Sequence, residues 1–251
     1  MSMRAHAAPL PPWLSSLSHT KLRATPAQGN SLPRYWLTSR ALLLAGLWLC
    51  VVTLWYLIQW WGTVLFVWHP LLMTCGVFFM AQGIVTYAKP GLRRPALRLA
   101  HRRLQTLGAV CTTLGLAAIV QNKARMGKTL VPHSVHGLVG TAGMLMVAVQ
   151  VVSGFRKLAQ LQKKEPRRLL RWHGRVGMWC YNICVLACAL GTWSVRGRMT
   201  TNQDAGAGTS TVAMLVIAMH LLVAIGVHRL MSLRRSGKYG MVRTSVPLLP
   251  R

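Results

Sequence analysis

Six long apolar stretches, separated by short polar or basic ones, organise this chain of 251 residues. They predict helices over residues 41–61, 64–87, 98–121, 134–155, 173–194 and 210–231. Each is close to the roughly 20 apolar residues that cross a bilayer core as a helix. Lys89-Pro90-Gly91 breaks the chain after the second helix. Pro70 is read at a helix start, where its missing N–H costs little. The expected fold is therefore an all-α membrane protein, a bundle of six transmembrane helices.

The polar positions inside this pattern are few. His69 opens the second helix, His101 the third, His136 the fourth and His173 the fifth. Consecutive spans reverse direction, so the starts of the second and fourth lie at one surface and those of the third and fifth at the other. His69 can then face His136, and His101 can face His173. A polar side chain inside a membrane needs a partner and signals function by default. Two bis-histidine pairs stacked across a bilayer are what two b-type haems between helices 2–5 require.

Glycines follow the histidines at helical spacing. Gly76 and Gly83 come seven and fourteen residues after His69, and Gly108 and Gly115 come at the same intervals after His101. Gly140 and Gly143 follow His136, and Gly177 follows His173. Intervals of four and seven keep to the histidine's own helix face, and a flat macrocycle needs that face clear. Close packing of helices through small residues is the competing explanation.

Charge adds direction. The chain carries 30 Lys and Arg against 2 Asp and Glu, a net charge of +28. Nucleic acid is not the expected partner, because the cations sit in short loops between apolar spans. The loops after the third and fifth helices hold only Lys123, Arg125, Lys128, Arg196 and Arg198. The great majority lie in the tails and in the loops after the second and fourth helices. The excess of cations on the cytosolic side of membrane proteins then puts both termini in the cytosol. Residues 1–40 read as a disordered cytosolic tail, 41–231 as the membrane domain and 232–251 as a cytosolic C-terminal tail. The acid-free, Arg-containing N-terminal stretch is also the composition of an organelle transit peptide. Cys50, Cys75, Cys111, Cys180, Cys184 and Cys188 all fall inside apolar spans, which argues against a disulfide framework. Cys180, Cys184 and Cys188 form one helical stripe, read as packing. His220, in mid-span of the sixth helix, is read as making a structural hydrogen bond.

The stretches "LFVWHPLLM" around His69, "HRRLQTLG" at His101, "HSVHGLVG" around His136 and "RWHGRVG" around His173 resemble the cytochrome b561 family. The resemblance covers about residues 40–231 and is nearest to the short, single-domain transmembrane reductases of endomembranes such as the endoplasmic reticulum. It implies a six-helix cytochrome b561 domain holding two haems b (two per chain), with His69 and His136 as one pair of axial ligands to haem iron and His101 and His173 as the other. It also implies cytosolic ascorbate as electron donor, monodehydroascorbate or ferric iron (Fe3+) as acceptor, contact with membrane lipid, and a homodimer. By position, Lys89 is similar to a basic residue that touches the haem. Arg94, Arg98 and Arg167 are similarly placed to basic residues that bind the ascorbate anion. Where some relatives have a histidine near the end of the third helix, this chain reads Gln121-Asn122-Lys123. The alternative function is a histidine-based metal transporter with His133 and His136 as its site; it would need intramembrane carboxylates, and Glu165 and Asp204 both fall in loops.

Overall fold

The computed structural model describes residues 31–61, 64–87, 94–162, 170, 172–199 and 206–235. These form six helices: α1 Ser31–Trp61, α2 Leu65–Thr86, α3 Arg94–Arg125, α4 Val135–Gln162, α5 His173–Met199 and α6 Gly206–Arg235. Six segments within them are long and apolar enough to cross a membrane: Leu37–Gln59, Leu65–Thr86, Pro95–Arg125, Val135–Gln162, His173–Ser194 and Ala213–Ser232. The chain is a multi-pass membrane protein of all-helical fold. Large apolar side chains such as Leu145, Trp179 and Ile225 are exposed on the outside, where lipid replaces water as solvent.

Several helices outrun the apolar windows. α1 begins at Ser31, ten residues before the expected boundary at 41, and α4 continues to Gln162, past 155. The added α4 residues, Arg156-Lys157-Leu158-Ala159-Gln160-Leu161-Gln162, are strong helix formers without a break. Apolar length marks the membrane crossing; helix propensity carries the backbone beyond it. Pro70 is the sixth residue of α2, not its first. It therefore removes one rung of the helical hydrogen-bond ladder that an N-terminal position would have spared.

Two helix ends are set by local chemistry. α3 closes in a Schellman turn: Gly127 has φ 61°, Gly127 N–H donates to Ala124 and Lys128 N–H to Lys123 at 2.9 Å. α4 opens on Ser134, whose hydroxyl accepts from Gly137 N–H at 3.1 Å. That cap fixes His136 as the second residue of the helix. Before α5, Leu170 lies in the left-handed region at φ 67°, and its carbonyl accepts from His173 N–H at 3.2 Å.

The helices pack as pairs. α2 lies closely on α3, and α4 on α5, while α3 and α4 touch only lightly. Between α2 and α3 the backbones meet at Gly76 and Gly108. A Cβ on Gly108 would come within 3.0 Å of the Gly76 carbonyl oxygen, so neither position has room for a side chain. The main core lies among α1, α2, α5 and α6, built from Leu42, Val77, Ala81, Tyr181, Val185 and Val227. Cys180 and Cys184 are packed into it, the packing role expected of that stripe.

Candidate functional site

The four histidines occupy equivalent places. His69 is in the first turns of α2, His101 is two turns into α3, His136 is in the first turn of α4, and His173 opens α5. All four are half-buried. The rings of His69 and His136 face each other with centroids 6.2 Å apart and planes at 71°. Those of His101 and His173 do the same at 6.5 Å and 80°. Each facing pair takes one ring from the α2–α3 pair and one from α4–α5.

Each ring is held by the neighbouring helix of its own pair. His69 Nδ1 lies 2.9 Å from the Gly115 carbonyl oxygen of α3, and His101 Nδ1 lies 2.9 Å from the Gly83 carbonyl oxygen of α2. His136 Nδ1 is 2.9 Å from the Ala187 carbonyl oxygen of α5. A carbonyl only accepts, so Nδ1 carries the proton and Nε2 keeps the lone pair. His173 Nδ1 meets Ser153 Oγ of α4 at 2.9 Å. The Ser153 hydroxyl also reaches the Gln150 backbone carbonyl at 3.0 Å, so the fourth ring is braced by a side chain where the other three meet carbonyls.

This arrangement fits a bis-imidazole haem. A metal-ligating histidine commonly donates its second ring N–H to a carbonyl or similar acceptor, which sets ring orientation and basicity. Two metal–nitrogen bonds of about 2.0 Å, each continued by about 1.1 Å to a ring centre, place centroids roughly 6.2 Å apart across one ion. A direct ring-to-ring hydrogen bond would bring them to roughly 5 Å. Edge-to-face packing reaches the longer distance too, but it does not call for the brace on Nδ1 that all four rings have. Gly140, one turn beyond His136, has nothing within 4 Å of where a Cβ would stand, so one face beside that ring is clear.

The glycines divide by role. Gly76, Gly83, Gly108 and Gly115 all serve the close contact of α2 with α3. Gly83 and Gly115 also supply the carbonyls that orient His101 and His69. A third role is new: a Cβ on Gly191 would stand 2.8 Å from His136 Cε1, so this glycine makes the space that the ring occupies. Ser153 and Gly191 escape the sequence reading because neither stands at a marked interval from the histidine it serves. Tyr87, whose ring lies 4.8 Å from His101, escapes it likewise.

The basic residues are less gathered. Arg98 is exposed, one turn before His101. Arg94 opens α3; Lys89 and Arg167 lie outside the described residues. Lys157 is half-buried near the end of α4, the end at which that helix meets the His101–His173 level through Ser153. It is a cation at this pair that the sequence does not single out among its neighbours.

Comparison with known proteins points the same way. The human protein named transmembrane reductase CYB561D2 (Homo sapiens) is 30% identical over 119 residues, which is 44% of this chain and 50% of that protein. The protein of that name in Mus musculus is 29% identical over 117 residues, 44% of this chain and 50% of its own length. The chain thus spans about half the length of the curated relatives it matches. The family model for eukaryotic cytochrome b561 matches residues 68–196, a stretch that contains all four histidines. Matched over half of its length, the chain belongs to the eukaryotic cytochrome b561 family.

Proposed function

We propose that this protein carries electrons across a membrane, from ascorbate on the cytosolic side to monodehydroascorbate or ferric iron on the other. Two haems b serve it, one held by His69 and His136 and one by His101 and His173. The observation that carries this reading is the repeated geometry: two facing ring pairs, at 6.2 and 6.5 Å, with every Nδ1 2.9 Å from an oxygen of the neighbouring helix. A haem bound at each pair supplies one-electron exchange at iron.

The protein's own part is placement and environment. The carbonyls of Gly115, Gly83 and Ala187 fix the tautomers of three rings, and Ser153 braces the fourth. Gly83, which marks the depth of His101 on α2, is 14 residues from His69, so the two pairs lie roughly 21 Å apart along the helix axis. That spans most of a hydrocarbon core of about 30 Å. The apolar helices exclude bulk water between the two levels. On the cytosolic side Lys157 and Arg98, with Lys89, Arg94 and Arg167, make a positive rim that draws in an anionic donor. Both termini face the cytosol, the domain spans about residues 41–231 extended by the helix ends, the host membrane is the endoplasmic reticulum or another endomembrane, and the assembly is a homodimer.

The test is an absorption spectrum with ligand variants. Purified from haem-replete cells and reduced with dithionite, the protein should show a b-type α-band and about two haems per chain. His69→Ala or His136→Ala should each remove one haem, and His101→Ala or His173→Ala the other. A protein without a Soret band, or four single variants that all keep both haems, refutes the assignment.

A further inference from the structure

Away from the facing histidines, a small buried cavity lies where α1, α2, α5 and α6 meet. Gly46, Thr74, Phe78, Tyr181 and His220 are among the residues lining it, and all are buried. Its volume is about 10 Å³, measured as the space open to the centre of a water molecule. That is room for about one water and nothing larger. Thr74 and Val77 fall between His69 and Gly83 along α2, so the cavity is near mid-membrane, between the two histidine levels.

Two polar atoms here have no protein partner. His220 is 2% exposed and Tyr181 1%, and neither His220 Nε2 nor the Tyr181 hydroxyl has a hydrogen bond. His220 Nδ1 lies 2.9 Å from the Val216 carbonyl oxygen in its own helix, so Nδ1 is the protonated nitrogen and Nε2 an acceptor. Two residues that line the cavity therefore carry, in turn, a lone pair that needs a donor and a hydroxyl that can donate. A bare polar group in an apolar interior is costly, and two on residues that line one cavity define the missing partner. It must donate and accept at once, and it must be the size of a water. A backbone carbonyl only accepts; a cation only attracts lone pairs.

We infer that this cavity is a binding site for a single structural water. The water donates one hydrogen to His220 Nε2 and accepts from the Tyr181 hydroxyl, and the Thr74 hydroxyl on the same wall can take its second hydrogen. It joins α6 to α5 and α2 at a depth that bulk water does not reach. The inference stands on these residues alone and is independent of the haem assignment.

Tyr181→Phe tests it, because only the hydroxyl is lost. With the water in place the variant loses a hydrogen bond and its apparent Tm falls by roughly 2–4 °C, with the haem spectrum unchanged. His220→Leu lowers Tm as well, and the double variant loses less than the sum of the two, as residues sharing one bridge must. In a map of the wild-type protein that resolves ordered waters, one peak lies within about 3.2 Å of both atoms. If Tyr181→Phe leaves Tm unchanged or raises it, the hydroxyl was bare and the inference fails. It fails also if the map shows the cavity empty, or Tyr181 bonded directly to His220.

Discussion

At the scale of the residue, a histidine inside an apolar span is conspicuous, and what orients it is not. His69, His101, His136 and His173 could be read from the chain because imidazoles are rare among so many Leu, Val and Ala. Their acceptors could not. Gly115, Gly83 and Ala187 act through backbone carbonyls, and every residue has one. Gly191 is the sharpest case, since it contributes only the absence of a Cβ beside His136. Gly191→Val should therefore displace that ring and cost the haem at the His69–His136 pair, about one of two per chain, while the other pair keeps its own. Haem content by pyridine haemochrome assay checks this; two haems in the variant would mean that the ring has another place to go.

At the scale of the element, the spans were legible and their pairing was not. Apolar length marks six crossings, yet the helix ends run further because propensity, not hydropathy, decides them. The glycine intervals were legible as a pattern with two meanings. The structure assigns most of them to close packing: Gly76 and Gly108 bring α2 and α3 together, and Gly140 alone of those after His136 faces open space. Sequence spacing places residues on a helix face but does not say whether a helix or a flat group lies opposite. A branched side chain at the tightest point should force the pair apart. Gly108→Val is expected to destabilise the protein by about 1–3 kcal/mol, the usual cost of overpacking, and to loosen both histidine braces that cross this interface. A thermal melt followed at the Soret band measures both effects; an unchanged melt would show that the contact yields.

For the whole molecule, the two histidine levels and the uneven distribution of cations give the bundle a direction. In sealed vesicles with the cytosolic face outward, external ascorbate should reduce the haems, and ferric iron trapped inside should reoxidise them. Reduction by dithionite but not by ascorbate would set the donor assignment aside. The shape of the interior also bears on how the protein is made. Each facing pair draws one ring from α2–α3 and one from α4–α5, and never two from the same helix pair. A ribosome that has delivered only the first three helices has produced half of two sites and the whole of neither. The His69–His136 pair is complete only once α4 is in the membrane, and the His101–His173 pair only once α5 is; on the proposed haem assignment the two cofactors are then captured in that order. On that assignment a chain truncated before His173 should keep the His69–His136 haem and lack the other, about one haem per chain by pyridine haemochrome assay; two haems in the truncated chain would set the pairing aside.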